Sequence, residues 1–445
     1  MVNFGVFFSI LLQIIFWATA LLALIRTCRM AGWGLSAPLT APIASAPAWI
    51  WMRELIADDS PPVAAHRQKT PYGKIIAFAL GVRIGMLVLG YGILVLDGQS
   101  PSVPDLFLAF RRGDSNHYLN LAEIGYTWTE DGKNLLLVFF PLYGWLIRLV
   151  NVLVGNYLVS AYIVSFVSFA VALCYLYRLV RLECKASVAW WAVVLISIAP
   201  HSFFFGVPMT ESLFLLATVM CLYYIRTHNW PLAGLVGAFA ILTRMMGLVL
   251  IVVVAVEFIT HYRVFGLIKD AKWRSLFRLI AQKGTWILVM LVGVAIYLIV
   301  NWQVTGDPFQ FMYYQRTHWH NQFMYFGSVI LLQLENIAHA EWSFVSTIAI
   351  PNVLAFVLAV LMLLYASVKR LPVLYIIFLL GYTLISFSVS WLLSGGRYMT
   401  VAAPLFLFLA HFTERRLLFR IVVPVACLLG LLLTMRWYIL GGSVF

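Results

Sequence analysis

The chain has 445 residues, of which 63% are apolar and only 11% carry a charge, and its formal net charge is +13. Soluble domains carry roughly 25% charged residues, so this composition excludes an ordinary soluble domain and indicates a polytopic membrane protein built from α-helices. The apolar runs are continuous rather than alternating, which excludes a β-barrel, and the positive charge lies mostly in short loops, which argues against a nucleic-acid partner.

Twelve apolar segments are predicted to cross the bilayer, and the positive-inside rule orients them. The rule places every basic cluster in the cytoplasm and leaves both chain termini outside. Residues 1–74 are predicted to form an N-terminal span and an irregular cytoplasmic loop, and residues 75–445 to form the main transmembrane domain. The predicted spans are 4–25, 75–96, 157–177, 187–206, 209–226, 231–245, 246–261, 284–304, 343–365, 372–392, 399–413 and 421–437.

One further apolar segment, 135–155, is long enough to span but is interrupted by Pro141 and Arg148. If it crossed the membrane, every later loop would change sides and the basic residues between Arg178 and Lys185 would lie outside. Its aromatic residues suit the membrane interface. We therefore predict an interfacial or re-entrant element in the first outer loop.

With this topology, five polar or proline-containing motifs lie on the outer face. They read RRGDSNHYLNLAEIGY, APHSFFFGVPMTES, LTRMMG, TGDPFQFMYYQRTHWHN and SGGRYM. Polar residues contributed by several outer loops are what an active site at the membrane surface requires. The RGD tripeptide is short enough to occur by chance, so it does not indicate adhesion.

The first motif contains Asp114 at the start of a helical pattern that stops at Gly125. Two interpretations stay open from the residues alone. Asp114 is either a helix N-cap or a carboxylate that acts as a general base. Glu123 is a second acid in the same segment, but a two-carboxylate mechanism is not favoured, and His117 fits a structural role better than a catalytic one.

Two other motifs carry charges beside apolar spans. Glu211 suits the first turn of a helix because of the helix dipole, and the aromatic triplet Phe203–Phe205 before it is predicted to face lipid tails or a lipid substrate. Arg244 interrupts an apolar run, where a charge is costly. It either reaches the outer interface, where it needs no function, or binds an anion.

The last two motifs are turns. Arg397 follows two glycines, which would allow its guanidinium to approach a phosphate closely, and an ordinary loop arginine is the alternative. Asp307, in Gly-Asp-Pro, is better explained by a turn than by a second catalytic acid. The aromatic residues that follow it predict an interfacial amphipathic helix.

In this order the motifs resemble the PIG-V type GPI mannosyltransferase family and its bacterial relatives, within the GT-C glycosyltransferase superfamily. The sequence departs from the family pattern at Gly113, where a tryptophan is usual, and at His117, where an aromatic residue is usual. The resemblance rests on Asp114, Ser115, Tyr118, Leu121, Ala122, Gly125 and Tyr126, on Phe139–Tyr143, on Thr210–Ser212, on Arg244 and Gly247, on Gly306–Pro308, and on Arg397–Tyr398.

The resemblance implies a GT-C-like bundle that transfers a sugar, mannose in that family, from a polyprenyl-phosphate carrier to an acceptor hydroxyl with inversion. It implies that Asp114 is the general base and that the reaction requires no metal or other cofactor. The implied location is the bacterial cytoplasmic membrane with the site facing outward, or the endoplasmic reticulum lumen in a eukaryote. The donor's phosphate would contact Arg111, Arg112, Arg244, Arg397 and Tyr398, and the acceptor and sugar would contact Ser115, His117, Tyr118, Glu123, Tyr143, Glu211 and Asp307.

A polytopic lipid or solute transporter is the alternative. Transporters place ionisable residues near the membrane midplane, often in two related halves. Arg83 is the residue that would favour this function. The sequence shows no internal repeat, and its polar residues gather at the ends of the predicted spans, so we favour the transferase.

Overall fold

The computed structural model describes residues 2–33, 69–127, 132–442 and 444. Most of the predicted cytoplasmic loop therefore lies outside the described residues, and the division at residue 74 stays a prediction. The helices are α1 (Val2–Met30), α2 (Tyr72–Leu96), α3 (Val103–Ala109), α4 (Asp114–Ile124), α5 (Pro141–Val154), α6 (Tyr157–Glu183), α7 (Ala186–Ile198), α8 (Glu211–Arg226), α9 (Trp230–Thr243), α10 (Val249–His261), α11 (Val264–Lys269), α12 (Trp273–Thr305), α13 (Gln310–Thr317), α14 (Phe326–His339), α15 (Trp342–Val368), α16 (Val373–Phe387), α17 (Gly395–Thr400), α18 (Ala403–Thr413) and α19 (Leu417–Ile439).

The all-α architecture predicted from the sequence is confirmed. Within the described part of the chain there is no β-strand, only a single bridge between Phe323 and Val389. Six described helices are long and apolar enough to cross a membrane, namely α1, α2, α6, α12, α15 and α19. The other predicted spans fall on shorter helices, so the number of crossings stays a prediction.

Helix α6 is the centre of the bundle. It packs against α2, α5, α7 and α8. Its buried side chains recur every three or four residues, as in Phe169, Leu173 and Leu176, which gives one continuous apolar face. Helix α1 packs against α14 and α15, where the Phe16 ring lies 4.9 Å from that of Phe326.

The two ends of the bundle have different chemistry. Glu183, at the end of α6, pairs with Arg226, at the end of α8, at 2.5 Å. Glu257 near the end of α10 lies 3.1 Å from Arg226, and Tyr375 at the start of α16 donates to Glu183 at 3.2 Å. These four helix ends therefore share one end of the bundle, and the turns with the polar motifs are brought to the opposite end.

The segment 135–155 forms a 3₁₀ turn, Leu135–Val138, followed by α5. Helix α5 has 14 residues and is about 21 Å long at 1.5 Å per residue, short of the ~30 Å hydrocarbon core. One face buries Tyr143 and Ile147, and the opposite face exposes Leu149 and Leu153. Helix α5 is about as long as the other short apolar helices of the chain, so the interfacial or re-entrant position of 135–155 stays a prediction.

Several sequence predictions need correction. The predicted span 187–206 ends as an α-helix at Ile198, because Pro200 and a 3₁₀ turn, Ser202–Gly206, follow. Phe203–Phe205 do not face lipid, because each is at most 1% exposed and packs in the protein core. The predicted span 284–304 starts earlier, because α12 continues back to Trp273 through a π-helical turn.

Arg83, the residue that would favour transport, is held by protein groups inside the bundle. Its Nη1 donates to the Ser202 carbonyl at 3.0 Å, and its guanidinium lies 4.1 Å from the centre of the Phe169 ring. A hydrogen bond and a cation–π contact stabilise the buried charge. Arg83 therefore packs between α2, α6 and the turn after α7, although its Nε and Nη2 atoms are buried without a hydrogen-bond partner among the described residues.

Candidate active site

Four charged residues from four distant parts of the sequence meet at the end of the bundle that carries the polar motifs. Arg397 Nη1 lies 2.9 Å from Asp114 Oδ2, and Arg397 Nε lies 2.7 Å from Glu211 Oε1. Arg244 Nη1 lies 2.5 Å from the same Glu211 oxygen. The contacts form a chain, Asp114–Arg397–Glu211–Arg244, which we call the charged cluster.

Local backbone structure brings each member to this place. Asp114 is the first residue of α4, and Gly113 before it has φ +54°, which favours glycine. Gly113 occupies the N-cap position without a side-chain cap, so the carboxylate of Asp114 pairs with Arg397 instead of capping the helix. Glu211 is the first residue of α8, where the helix dipole favours an acid.

Arg244 lies at a break between two apolar helices, which explains how a charged residue is accommodated in an apolar stretch of the sequence. Helix α9 ends at Thr243, Arg244 has an extended backbone, and a 3₁₀ turn, Met245–Leu248, leads into α10. A Cβ on Gly247 would lie 2.7 Å from the Ala240 carbonyl carbon, so the tight turn requires glycine there. The break places Arg244 at the end of the bundle rather than within a span.

Arg397 is carried by the short helix α17, which is anchored from both sides. The backbone N–H of Gly396 donates to Asn352 Oδ1 at 3.1 Å, and the Asn352 side chain donates to the Leu392 carbonyl at 3.0 Å. A Cβ on Gly396 would lie 2.5 Å from His201 Cε1. The Gly-Gly pair therefore serves close packing of α17, which sets the direction of the Arg397 side chain.

Burial divides the cluster into an inner and an outer part. The side chains of Glu211 and Arg397 are 1% and 4% exposed, and that of Asp114 is 40% exposed. Two carboxylates and two guanidinium groups leave the cluster neutral, as buried charges require. The inner pair fixes the geometry, and Asp114 offers a carboxylate to the outside.

A cavity of about 230 Å³ adjoins the charged cluster. Asp114, Arg244 and Tyr398 line it, whereas Arg397 and Glu211 lie behind its wall. The two arginines therefore differ, because only Arg244 can reach a bound anion directly. The wall also contains Tyr118, Val138, Phe139, Phe140, Thr243, Met245, Met246, Phe311, Gln315, Trp319, Asn321, Ile385 and Val389.

Aromatic rings form one side of the cavity. The Tyr118 ring meets that of Phe139 edge-on at 5.1 Å, and the Trp319 ring lies 6.0 Å from that of Phe139. Burial raises the pKa of the Tyr118 hydroxyl, so the group stays protonated and can donate a hydrogen bond. The Tyr398 ring lies 5.2 Å below the guanidinium carbon of Arg244 and supports it by a cation–π contact.

Two arginines predicted to bind the donor lie outside the cavity wall. Arg111 Nε donates to Asn116 Oδ1 at 2.8 Å. Arg112 donates to the carbonyls of Ala109 at 3.2 Å and Ile439 at 2.8 Å. Their hydrogen bonds hold the first outer loop together and dock it on the end of α19.

Five residues predicted to contact the acceptor or the sugar also lie elsewhere. Ser115 is fully buried, Glu123 is exposed to solvent, and His117 stacks on Phe139 with ring centres 4.8 Å apart. Tyr143 is fully buried with its hydroxyl on Ser165 at 2.8 Å. Asp307 accepts from the Phe309 N–H at 2.8 Å, as the turn interpretation predicts.

Sequence reasoning did not single out several polar residues in the wall. Gln315 and Asn321 come from the segment after Gly-Asp-Pro, and Thr243 precedes Arg244. The aromatic character of 309–325 indicated an interfacial element but not which polar side chains would turn inward. Among the described residues, no group of three or more His, Cys, Asp or Glu side chains is arranged to hold a metal ion.

A family model described as dolichyl-phosphate-mannose-protein mannosyltransferase matches residues 140–302. The match includes Glu211 and Arg244 but neither Asp114 nor Arg397. No curated protein matches the chain.

Three solved structures share a distant similarity with the chain. ArnT from Cupriavidus metallidurans bound to undecaprenyl phosphate is 16% identical, with a TM-score of 0.40 over 82% of this chain and 77% of ArnT. The apo oligosaccharyltransferase of Archaeoglobus fulgidus is 12% identical, with a TM-score of 0.39 over 82% of this chain and 55% of that enzyme. The complex of this enzyme, AglB, with an inhibitory peptide and a dolichol-phosphate gives 12% identity and a TM-score of 0.41, over 83% and 56%. The chain thus spans about half the length of the archaeal enzyme.

Proposed function

We propose that this protein is a membrane glycosyltransferase that moves a sugar from a polyprenyl-phosphate carrier to an acceptor hydroxyl. One observation carries the proposal: a partly exposed carboxylate, Asp114, and a guanidinium, Arg244, line one cavity at the end of a bundle of apolar helices. A transferase of this kind needs a base for the acceptor and a cation for the leaving phosphate, and these two groups supply both.

In the proposed reaction the acceptor oxygen attacks the anomeric carbon as its proton passes to Asp114. The bond between the anomeric carbon and the phosphate oxygen breaks on the opposite face, so the configuration inverts. The electron pair of that bond stays on the phosphate, which leaves as polyprenyl phosphate. Arg397 engages Oδ2 of Asp114 and leaves its other oxygen to take the proton. No general acid is needed, because the leaving phosphate is stable as an anion.

The arginines are proposed to have separate roles. Arg244 reaches the cavity and stabilises the negative charge that grows on the leaving phosphate. Arg397 lies behind the wall, where it orients Asp114. Tyr118 and Tyr398 border the same space and can donate to the sugar or the phosphate.

A lipid carrier suits the surroundings of the cavity. Met245, Met246, Ile385 and Val389 form an apolar part of its wall, and the helices around it are those of a membrane protein. Mannose is the proposed sugar, because the matching family model is named for dolichyl-phosphate-mannose and the motif order resembles PIG-V type enzymes. We propose that the site faces outward, opposite the end that carries Glu183, Arg226 and Glu257.

The test uses the purified full chain in liposomes with radiolabelled polyprenyl-phosphate mannose and a mixed membrane extract as the acceptor source. Label should move from the polyprenyl-phosphate fraction to a new product, with release of unlabelled polyprenyl phosphate. Parallel donors with other sugars identify the specificity. Intact donor after prolonged incubation with every sugar would contradict the proposal.

A further inference from the structure

Glu211 has an arrangement that the proposed chemistry does not yet explain. Its carboxylate is fully buried, and a single oxygen, Oε1, accepts from Arg397 Nε at 2.7 Å and from Arg244 Nη1 at 2.5 Å. The other oxygen, Oε2, is buried without a hydrogen-bond partner among the described residues. Because Glu211 does not line the cavity, it cannot touch a bound sugar or phosphate directly.

We infer that Glu211 is a positioning residue that fixes both arginines and sets how strongly Arg244 binds the donor. The inference rests on the proposed function and concerns a residue that acts through its neighbours. Arginine keeps its charge in proteins, so the buried guanidinium of Arg397 and the partly buried guanidinium of Arg244, which share one site, need a counter-ion between them. Glu211 is that counter-ion.

The geometry gives Glu211 two separate effects. It holds the Nε side of Arg397, which leaves Nη1 to contact Asp114, so Asp114 is engaged at one oxygen rather than two. It also holds Arg244 through one nitrogen, so a phosphate in the cavity competes with a carboxylate for the same guanidinium. Competition of this kind weakens phosphate binding and favours release of the polyprenyl-phosphate product.

The decisive variant is Glu211→Gln, which keeps the size of the side chain and removes its charge. Arg244 should then bind the donor's phosphate more tightly, and the donor KM should fall at least about 3-fold, since Coulomb interactions at such short range are large. Arg397 should turn fully onto Asp114, and kcat should fall about 10- to 100-fold, as for a weakened general base. Glu211→Asp keeps the charge with a shorter reach and should restore the donor KM and part of kcat.

Glu257→Gln is the matched control, because Glu257 is also a buried acid paired with an arginine, Arg226, but lies at the opposite end of the bundle. It should lower thermal stability and leave the donor KM unchanged. A loss of folded protein lowers kcat but cannot lower KM, so a purely structural role for Glu211 predicts the same result as the control. A Glu211→Gln variant with an unchanged or higher donor KM overturns the inference.

If Glu211→Gln fails to fold, the double variant Glu211→Gln/Arg244→Gln removes one charge of each sign and keeps the cluster balanced. Adding Glu211→Gln to Arg244→Gln should then change the donor KM less than about 2-fold, because the effect passes through Arg244. A decrease as large as 3-fold in that background overturns the inference. Failure of the proposed function is recognised separately, by sugar transfer that survives Asp114→Asn.

Discussion

Replacing Arg244 with glutamine is expected to weaken use of the donor while leaving the bundle folded. Arg244 lines the cavity. Its Nη1 atom is paired with Glu211, and its other nitrogen atoms remain available to bind a phosphate. Glu211 keeps Arg397 as a partner at 2.7 Å in this variant, so no buried acid is left unpaired. The main loss is therefore the contact with the donor.

The magnitude follows from that single contact. A hydrogen bond to a charged group contributes about 1.5–3 kcal/mol, which corresponds to a decrease of about 10- to 150-fold in kcat/KM for the donor. Arg244→Lys should recover only part of this, because an ammonium group cannot bind two phosphate oxygens in a fork. Arg397→Gln should act differently and lower kcat and stability together, because breaking a buried pair costs about 3–5 kcal/mol.

The assay measures initial rates in liposomes against donor concentration, with thermal unfolding of each variant recorded in parallel. Arg244→Gln should show its loss in kcat/KM with an unfolding temperature close to that of the unmodified protein. Unchanged kcat/KM in Arg244→Gln would refute the assignment of this guanidinium to the phosphate. Equal donor affinity losses in the Arg244 and Arg397 variants would refute the division of roles between them.

Three further predictions test the description of the fold. Tyr143→Phe removes a buried hydroxyl that is hydrogen-bonded to α6. It should lower the free energy of unfolding by about 1 kcal/mol and leave sugar transfer unchanged. Loss of transfer with unchanged stability would place Tyr143 in the site. Gly396→Ala forces a Cβ to 2.5 Å from His201 Cε1 and should cost about 1–3 kcal/mol by overpacking, so unchanged stability and activity would contradict the close packing of α17. Single cysteines are placed at two exposed positions, Glu123 and Ser275. An impermeant thiol reagent added outside cells should label the cysteine at position 123 and not the one at position 275. The reverse pattern would show that the predicted topology is inverted.

The charged residues at the centre of the candidate site could be predicted from the sequence, because charges are rare in this chain. In an apolar protein each buried charge needs a partner, so acids and arginines in motifs on one predicted face are expected to meet. The structure places Asp114, Glu211, Arg244 and Arg397 in contact. The order of the motifs also indicates which turns share an end of the bundle, since consecutive membrane spans run in opposite directions.

The different environments of the two arginines could not be read from the sequence. Arg244 and Arg397 both follow a helix end or a glycine turn, and only the packing of α17 shows that one reaches the cavity and the other does not. The burial of Phe203–Phe205 could not be predicted either, because in a membrane protein an apolar side chain is equally stable against lipid and in the protein core. No pattern in the sequence distinguishes Gln315 and Asn321 from other polar residues, and their position in the cavity wall depends on the fold of the segment after α12.

The proposal that Asp114 is the general base is tested most directly by sugar transfer in liposomes, with Asp114→Asn compared with Asp105→Asn. Asparagine keeps the size of Asp114 and can still accept a hydrogen bond from Arg397, but it cannot take the acceptor's proton. Asp105 is an exposed acid in the same loop, where its carboxylate accepts from the backbone N–H of Ser102, the N-cap of α3, at 2.9 Å, and it serves as the control. We predict normal folding and donor binding in Asp114→Asn, with turnover lower by roughly 10²- to 10⁴-fold, and near-normal turnover in Asp105→Asn. Transfer at a near-normal rate by Asp114→Asn would show that the carboxylate serves the structure and is not the general base.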